Sequence, residues 1–178
     1  MEFEKTPLPG LYLIKPKIYE DSRGYFFESF NEKIFSEEGI NISFVQDNQS
    51  CSTKGVLRGL HFQKKPHEQG KLVRVVHGSV LDVAVDMRKD SPAFGQHYKQ
   101  ILSSKNNLMM WIPPGFAHGF LALESDTVFT YKCSAYYNKD AEAGVIWNDK
   151  DLKIDWQVNS PVISSKDEAL PTWKEYWS

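Results

Sequence analysis

The chain has 178 residues, 13% of them aromatic and 25% charged, and a formal net charge of −2. That length suits one domain over residues 1–178 with a sizeable core, and the near-even charge excludes a general nucleic-acid or membrane-surface binder. Apolar runs fall short of a membrane span, the polar start MEFEKTPLPG lacks a signal-peptide core, and two cysteines, Cys51 and Cys133, cannot build a disulfide framework, so a reduced cytoplasmic setting is expected.

In chain order, LYLIKPKIY (11–19) is an edge-type strand interrupted by Pro16. The turn DSRG (21–24) leads into a second strand, YFFESF (25–30). Asn31 is placed to cap a short helix through EKIFSEE that stops at Gly39. FVQDNQSCS (44–52) is extended and polar on one side. Strands then follow closely: GVLRGLHFQ (55–63), KLVRVVHG (71–78), SVLDVAVDMR (79–88), HYKQILS (97–103), LMMWIPP (108–114), AHGFLALE (117–124) and TVFTYKCSAYY (127–137). Gly- and Pro-bearing turns divide them, which predicts an all-β sandwich or barrel. The tail after Tyr137 is irregular, with one helical turn near Asp167.

A barrel of about eight strands encloses room for one small ligand, so inward-pointing polar residues mark the site. In 71–78, alternation puts Lys71, Val73, Val75 and His77 on one face; in 127–137 it groups Tyr131, Cys133, Ala135 and Tyr137. Arg58 and His61 are an odd number of residues apart, which sends them to opposite faces of a regular strand. Gly59 between them permits a bulge that brings both to one side.

Each polar group has a plain reading beside a chemical one. His61 is either a core histidine satisfied by a carbonyl or a proton shuttle, and the nearby Arg58 and Lys71 favour the shuttle. His118, after the PPGFAHG turn, divides evenly between structure and ligand contact. Tyr131 is a core ring or, with a phenol pKa near 10, a proton donor to an enolate. Lys166-Asp167 is a solvated surface pair unless Asp167 folds back to orient His61. Arg23 and Glu28 look like surface residues, and Gln46, Asp47 and Asn48 look like a turn. A metal needs three converging ligands, and His61-Phe62-Gln63 has glutamine where metal-binding cupins carry a second histidine, so no metal is expected.

Taken together, DSRGYFFESF, FVQDNQS, VLRGLHFQ, GKLVRVVHGSVLDVAVDMRKDSPAFGQ, WIPPGFAHGF, YKCSAYY, IWNDKDLKIDW and SSKD resemble the dTDP-4-dehydrorhamnose 3,5-epimerases from about residue 10 to 170. The resemblance implies a cupin or jelly-roll fold and a homodimer. It implies epimerisation at C3 and C5 of dTDP-4-dehydro-6-deoxy-D-glucose, with no cofactor. His61 matches the proton-abstracting base, Asp167 its partner, Tyr131 the opposing donor and Lys71 the lysine near the keto oxygen. Arg58 and Arg23 match diphosphate-holding arginines, Arg23 reaching across the dimer. Glu28, Gln46, Asp47, Asn48, His118, Glu142 and Lys166 match substrate-contacting positions, and Tyr137 the ring that stacks on thymine. The tail PTWKEYWS has no obvious counterpart. The alternatives are an epimerase of another nucleotide 4-keto sugar, a C3-only or C5-only epimerase, and a non-catalytic sugar-nucleotide-binding cupin.

Overall fold

Alternating burial organises the chain into two facing antiparallel sheets. In the computed structural model, which describes residues 1–178, one sheet runs β1 (Glu2–Lys5), β2 (Tyr12–Lys15), β10 (Met109–Ile112), β7 (Lys71–His77), β12 (Thr127–Cys133), β5 (Gln46–Ser52). The other runs β13 (Glu142–Gly144), β6 (Leu57–Gln63), β11 (Phe116–Ala122), β8 (Ser79–Asp86), β9 (His97–Ser103). A separate hairpin pairs β3 (Tyr19–Asp21) with β4 (Gly24–Phe26). The all-β expectation from strand spacing is therefore met.

Three apolar layers hold the sheets. Between them, Val73, Val75 and Phe129 meet Val80, Ala84, Phe116 and Phe120. The outer face of the five-stranded sheet carries Leu81, Val83 and Val85, which the C-terminal segment covers with Leu152, Trp156 and Trp173. The outer face of the six-stranded sheet carries Leu72, Met109 and Trp111 beneath Phe35, Phe30 and Phe44. Each fully buried side chain of this kind contributes about 1.5–3 kcal/mol. Because β8 is covered on both faces, all of SVLDVAVD is buried. Its two carboxylates are tolerated only because Asp82 meets His118 and Asp86 meets Arg88 and Ser91.

The helices are short and capped. Asn31 accepts from the Ile34 N–H at the start of α1 (Glu32–Glu37). Ser164 accepts from the Asp167 N–H at the start of α2 (Ser165–Glu168), the turn anticipated near Asp167. A third helix, α3 (Trp173–Trp177), was not anticipated, although Thr172 and Glu175 form a reciprocal capping box. Strands β1 and β13 were also missed, being short and polar.

Three predicted strands end several residues early, and the first, over 11–19, stops at Lys15 before Pro16. The strand predicted over 25–30 ends at Phe26, and Phe30 turns inward onto Phe35 and Phe44. The strand predicted over 127–137 ends at Cys133. There Ser134 closes against Gly70, donating its N–H to the Gly70 carbonyl and accepting the Gly70 N–H on its hydroxyl. Tyr137 therefore leaves the ladder and does not share a strand face with Tyr131.

The bulge at Gly59 is present. His61 pairs with His118 and Arg58 with Phe120, so β6 spends one residue more than β11 over the same stretch. Gly59 has φ +128°, and a Cβ there would lie 2.5 Å from the Gly119 Cα and 2.9 Å from the His118 carbonyl oxygen. Both contacts are backbone, so neither side can yield cheaply. Gly59→Ala should cost about 2–4 kcal/mol from overpacking and strain, which corresponds to a melting temperature lower by about 10 °C for a chain of this size. Thermal unfolding followed by circular dichroism checks it; an unshifted transition means the bulge can relax.

Candidate active site

The bulge puts both polar side chains of β6 into one cavity. Arg58 and His61 line a space of 510 Å³ together with Lys71 from β7, His118 from β11, Tyr131 from β12 and the Ser164–Asp167 turn. A 140 Å³ extension continues past His61, Lys71 and Tyr131 to Gln46, Asn48, Tyr137 and Glu142. His61 belongs to one sheet and Tyr131 to the other, so imidazole and phenol approach the cavity from opposite walls.

Asp167 is buried, and its Oδ1 lies 2.7 Å from His61 Nε2. The Gly59 N–H donates to Oδ2 at 3.3 Å. Burial pushes the Asp167 carboxyl upward, but hydrogen bonding and charge from His61, with the Gly59 and Ser164 contacts, outweigh it and hold the group below the usual carboxylate range. An ionised carboxylate only accepts, so the shared hydrogen sits on Nε2 and the proton-accepting position of the ring falls to Nδ1. The same bulge thus re-aims Arg58 and lends a peptide donor to the carboxylate that orients His61.

Tyr131 stands across the strands from Asn48 and Val73. Burial drives its phenol pKa up, outweighing the downward pull of Asn48 and Arg58, so it carries its proton at neutral pH. Lys71 is buried with its Nζ 6.0 Å from the Tyr131 ring centre. Desolvation lowers its pKa against the opposing charges of Cys133, Asp82 and Glu142. A second imidazole–carboxylate pair lies beside the first: His118 Nε2 is 3.0 Å from both oxygens of the fully buried Asp82.

A charged clasp borders the extension. Lys166 Nζ donates to Glu142 Oε1 at 2.6 Å and the Tyr137 hydroxyl donates to Oε2 at 2.9 Å. The Lys166 bond, with help from Tyr137, holds the Glu142 carboxyl below its usual range. Gln46 accepts the Tyr137 N–H at 2.9 Å and donates to Asn48 at 3.0 Å.

Three expected site residues do not reach this cavity from their own chain. Asp47 sits between Gln46 and Asn48, so strand alternation turns it outward to Lys132 at 2.8 Å. Arg23 projects from the β3–β4 hairpin with its side chain 88% exposed and bound to Asp21. Glu28 accepts from Asn31 just before α1. Conversely, Asp82 was not singled out. A carboxylate inside the apolar run VLDVAV was a signal that could have found it, since a buried charge demands a partner. No three His, Cys, Asp or Glu side chains converge. Gln63, in the place of a second histidine, spends its amide on the loop carbonyls of His67 and Tyr136.

The family model for dTDP-4-dehydrorhamnose 3,5-epimerase matches residues 5–175, which includes much of the tail that lacked an obvious counterpart. A dTDP-4-dehydrorhamnose 3,5-epimerase from Shigella flexneri is 51% identical over 168 residues, covering 94% of this chain and 93% of that protein. The crystal structure of the enzyme of that name from Elizabethkingia anophelis superposes with a TM-score of 0.95 at 50% identity, covering 98% of this chain and 97% of the other. A dTDP-6-deoxy-D-glucose-3,5-epimerase from Legionella pneumophila, solved with dTDP-4-keto-L-rhamnose, gives a TM-score of 0.92 at 48% identity over 96% of this chain and 92% of its own. With the two-sheet cupin-like architecture and near-complete coverage in agreement, the chain belongs to the dTDP-4-dehydrorhamnose 3,5-epimerase family.

Proposed function

We propose that this chain, acting as one domain over residues 1–178, is an isomerase that inverts C3 and C5 of dTDP-4-dehydro-6-deoxy-D-glucose to give dTDP-4-dehydro-L-rhamnose. The observation that carries the reading is the His61–Asp167 pair on one wall of a cavity and a protonated Tyr131 on the opposite wall.

The hydrogens on C3 and C5 are acidified by the C4 ketone between them. His61 takes one from one face, and the electron pair moves through C4 onto O4 as an enolate. Tyr131 returns a proton from the other face, which inverts the centre. Each well-placed acid or base adds about 10²–10⁴-fold. Lys71, set near O4, stabilises the charge as it develops, and a single such donor is worth roughly 3–4 kcal/mol. The ketone is already present in the substrate, so electrons only shift within the sugar and return. Arg58 suits the diphosphate because its planar fork matches phosphate oxygens. Binding energy from the nucleotide then offsets the cost of orienting the hexose. Tyr137 and the Glu142–Lys166 pair supply an aromatic face and fixed charges at the extension. Incubating the protein with dTDP-4-dehydro-6-deoxy-D-glucose in deuterated water and reading the product by NMR tests the reading. Deuterium and inversion at both carbons are expected; one inverted centre, or tight binding without exchange, overturns it.

A homodimer accounts for the residues that stand apart. The β3–β4 hairpin exposes Tyr19, Tyr25 and Phe26 beside Arg23, and apolar side chains clustered on a projecting hairpin suit burial against another subunit. Arg23 and Glu28 then serve the cavity of the second copy. Mixing inactive Arg23→Ala and His61→Ala chains under exchange should restore roughly a quarter of wild-type activity, since half the dimers are hybrid and each has one intact site. No recovery, with hybrids confirmed by native mass spectrometry, means Arg23 serves its own chain or none. No helix is long and apolar enough to cross a membrane, and action on a water-soluble nucleotide sugar in the cytoplasm fits this reading.

A further inference from the structure

We propose that Gln63 is a positioning residue that sets Tyr137 against the bound nucleotide sugar, an inference resting on the reading that Tyr137 touches that ligand. Gln63 ends the strand that carries Arg58 and His61 and is 6% exposed. Its amide nitrogen donates to the His67 carbonyl at 2.6 Å and to the Tyr136 carbonyl at 3.2 Å. Its amide oxygen accepts the Asn138 N–H at 2.6 Å. Two carbonyls require the NH₂ and one N–H requires the oxygen, so the partners themselves fix which way the amide faces.

The peptide groups that Gln63 grips flank Tyr137 on either side. They lie where β12 has ended, in a stretch the sheet no longer holds. Glutamine side chains hold it instead: Gln69 donates to the Ala135 carbonyl at 2.8 Å, Gln46 accepts the Tyr137 N–H at 2.9 Å, and Gln63 takes the Tyr136 and Asn138 contacts. Of these three, Gln63 is the one bound on both sides of the ring. It also pairs in register with Glu142, whose carboxylate receives the Tyr137 hydroxyl. Gln63 therefore couples the strand that bears the base to the loop that bears the ring. It does so without touching the reacting carbons itself.

The consequence is a split between binding and chemistry. A loosened loop weakens a contact made equally in the ground and transition states, which raises KM and spares kcat. Unsatisfied buried peptide groups cost enough that KM for the nucleotide sugar should rise about tenfold, with kcat within about twofold. Two variants read this out below their melting transitions. Gln63→Ala removes every contact, whereas Gln63→Glu keeps the volume and the acceptor for Asn138 but turns oxygen toward two carbonyls. In a Tyr137→Ala background, Gln63→Ala should change KM by less than about twofold, because coupled residues are not additive. Unchanged KM in both single variants, a fall in kcat at constant KM, or a full tenfold effect persisting without the Tyr137 ring overturns the brace. Unchanged KM in Tyr137→Ala alone overturns the ligand contact, and the brace with it.

Discussion

His61→Gln should lower epimerisation by about 10²–10⁴-fold, the range expected for losing a positioned base, and should abolish deuterium uptake at C3 and C5. Glutamine is the informative replacement because of what lies behind the imidazole. Asp167 is buried, and apart from His61 its carboxylate has the Gly59 N–H at 3.3 Å and the Ser164 contact. A glutamine amide nitrogen reaches the position of the imidazole Nε2 and can still donate to that carboxylate, so the chemistry is removed while the buried charge stays partnered. Alanine leaves the carboxylate short of a donor, which adds a stability cost of about 1–3 kcal/mol. The two variants should therefore be equally inactive but unequally stable, with the lower urea midpoint in His61→Ala. Near-normal turnover in His61→Gln moves the base elsewhere, and the His118–Asp82 pair is the next imidazole in the same cavity. Tyr131→Phe should behave differently: proton removal persists, so exchange continues while inversion is lost.

The contrast between Asp167 and Arg58 shows what sequence carries here and what it does not. Arg58 and His61 lie on a strand whose alternation is readable, and Gly59 announces the one place where alternation can break. The pair could be brought to one face on paper, and the register confirms it. Asp167 sits more than a hundred residues away, in a tail whose course depends on outer-face packing by Leu152, Trp156 and Trp173. Nothing local ties it to His61, so the residues alone leave that pairing as one alternative, and the family resemblance is what favours it. Tyr137 fails for the opposite reason. The run TVFTYKCSAYY alternates convincingly to its end, yet β12 stops at Cys133 because Ser134 and Gly70 close the ladder. Residues 135–138 then follow glutamine side chains instead of a neighbouring strand. Asp47 marks a limit of carrying roles over residue by residue: period-two geometry turns it away from the cavity that its neighbours line. Arg23 and Glu28 stay on the surface of their own chain, bound to Asp21 and Asn31, and no local pattern in the sequence says what else they meet. The capping box of Thr172 and Glu175 is legible in the sequence, although the short aromatic-rich tail around it has the composition of packing material.

Lys71→Met should lower kcat by about 10²–10³-fold, the effect of removing one preorganised donor from a developing oxyanion, and it should do so without destabilising the fold. The two halves of that expectation come from the same burial. Taking an ammonium out of water is costly, and desolvation is the largest influence on Lys71, depressing its pKa against the nearby Cys133, Asp82 and Glu142. Methionine fills a similar volume with no charge to desolvate, so the folded state loses a penalty as it loses a contact. Stability should hold or rise while turnover collapses, which is the mark of a residue kept for chemistry. The pH profile supplies the sign. Only the ammonium form stabilises the enolate at O4, so kcat/KM falls as pH rises through the Lys71 pKa. Because that pKa is lowered, the limb lies below the ordinary lysine value of about 10.4. Burial shifts Tyr131 the other way, upward, which moves loss of its proton to higher pH than in a free phenol. Lys71→Arg keeps its charge throughout this range and should lose that limb, at a reduced plateau set by poorer geometry. An alkaline limb unchanged in Lys71→Arg, or a kcat for Lys71→Met within tenfold of wild type, means that the charge at O4 is held by another group.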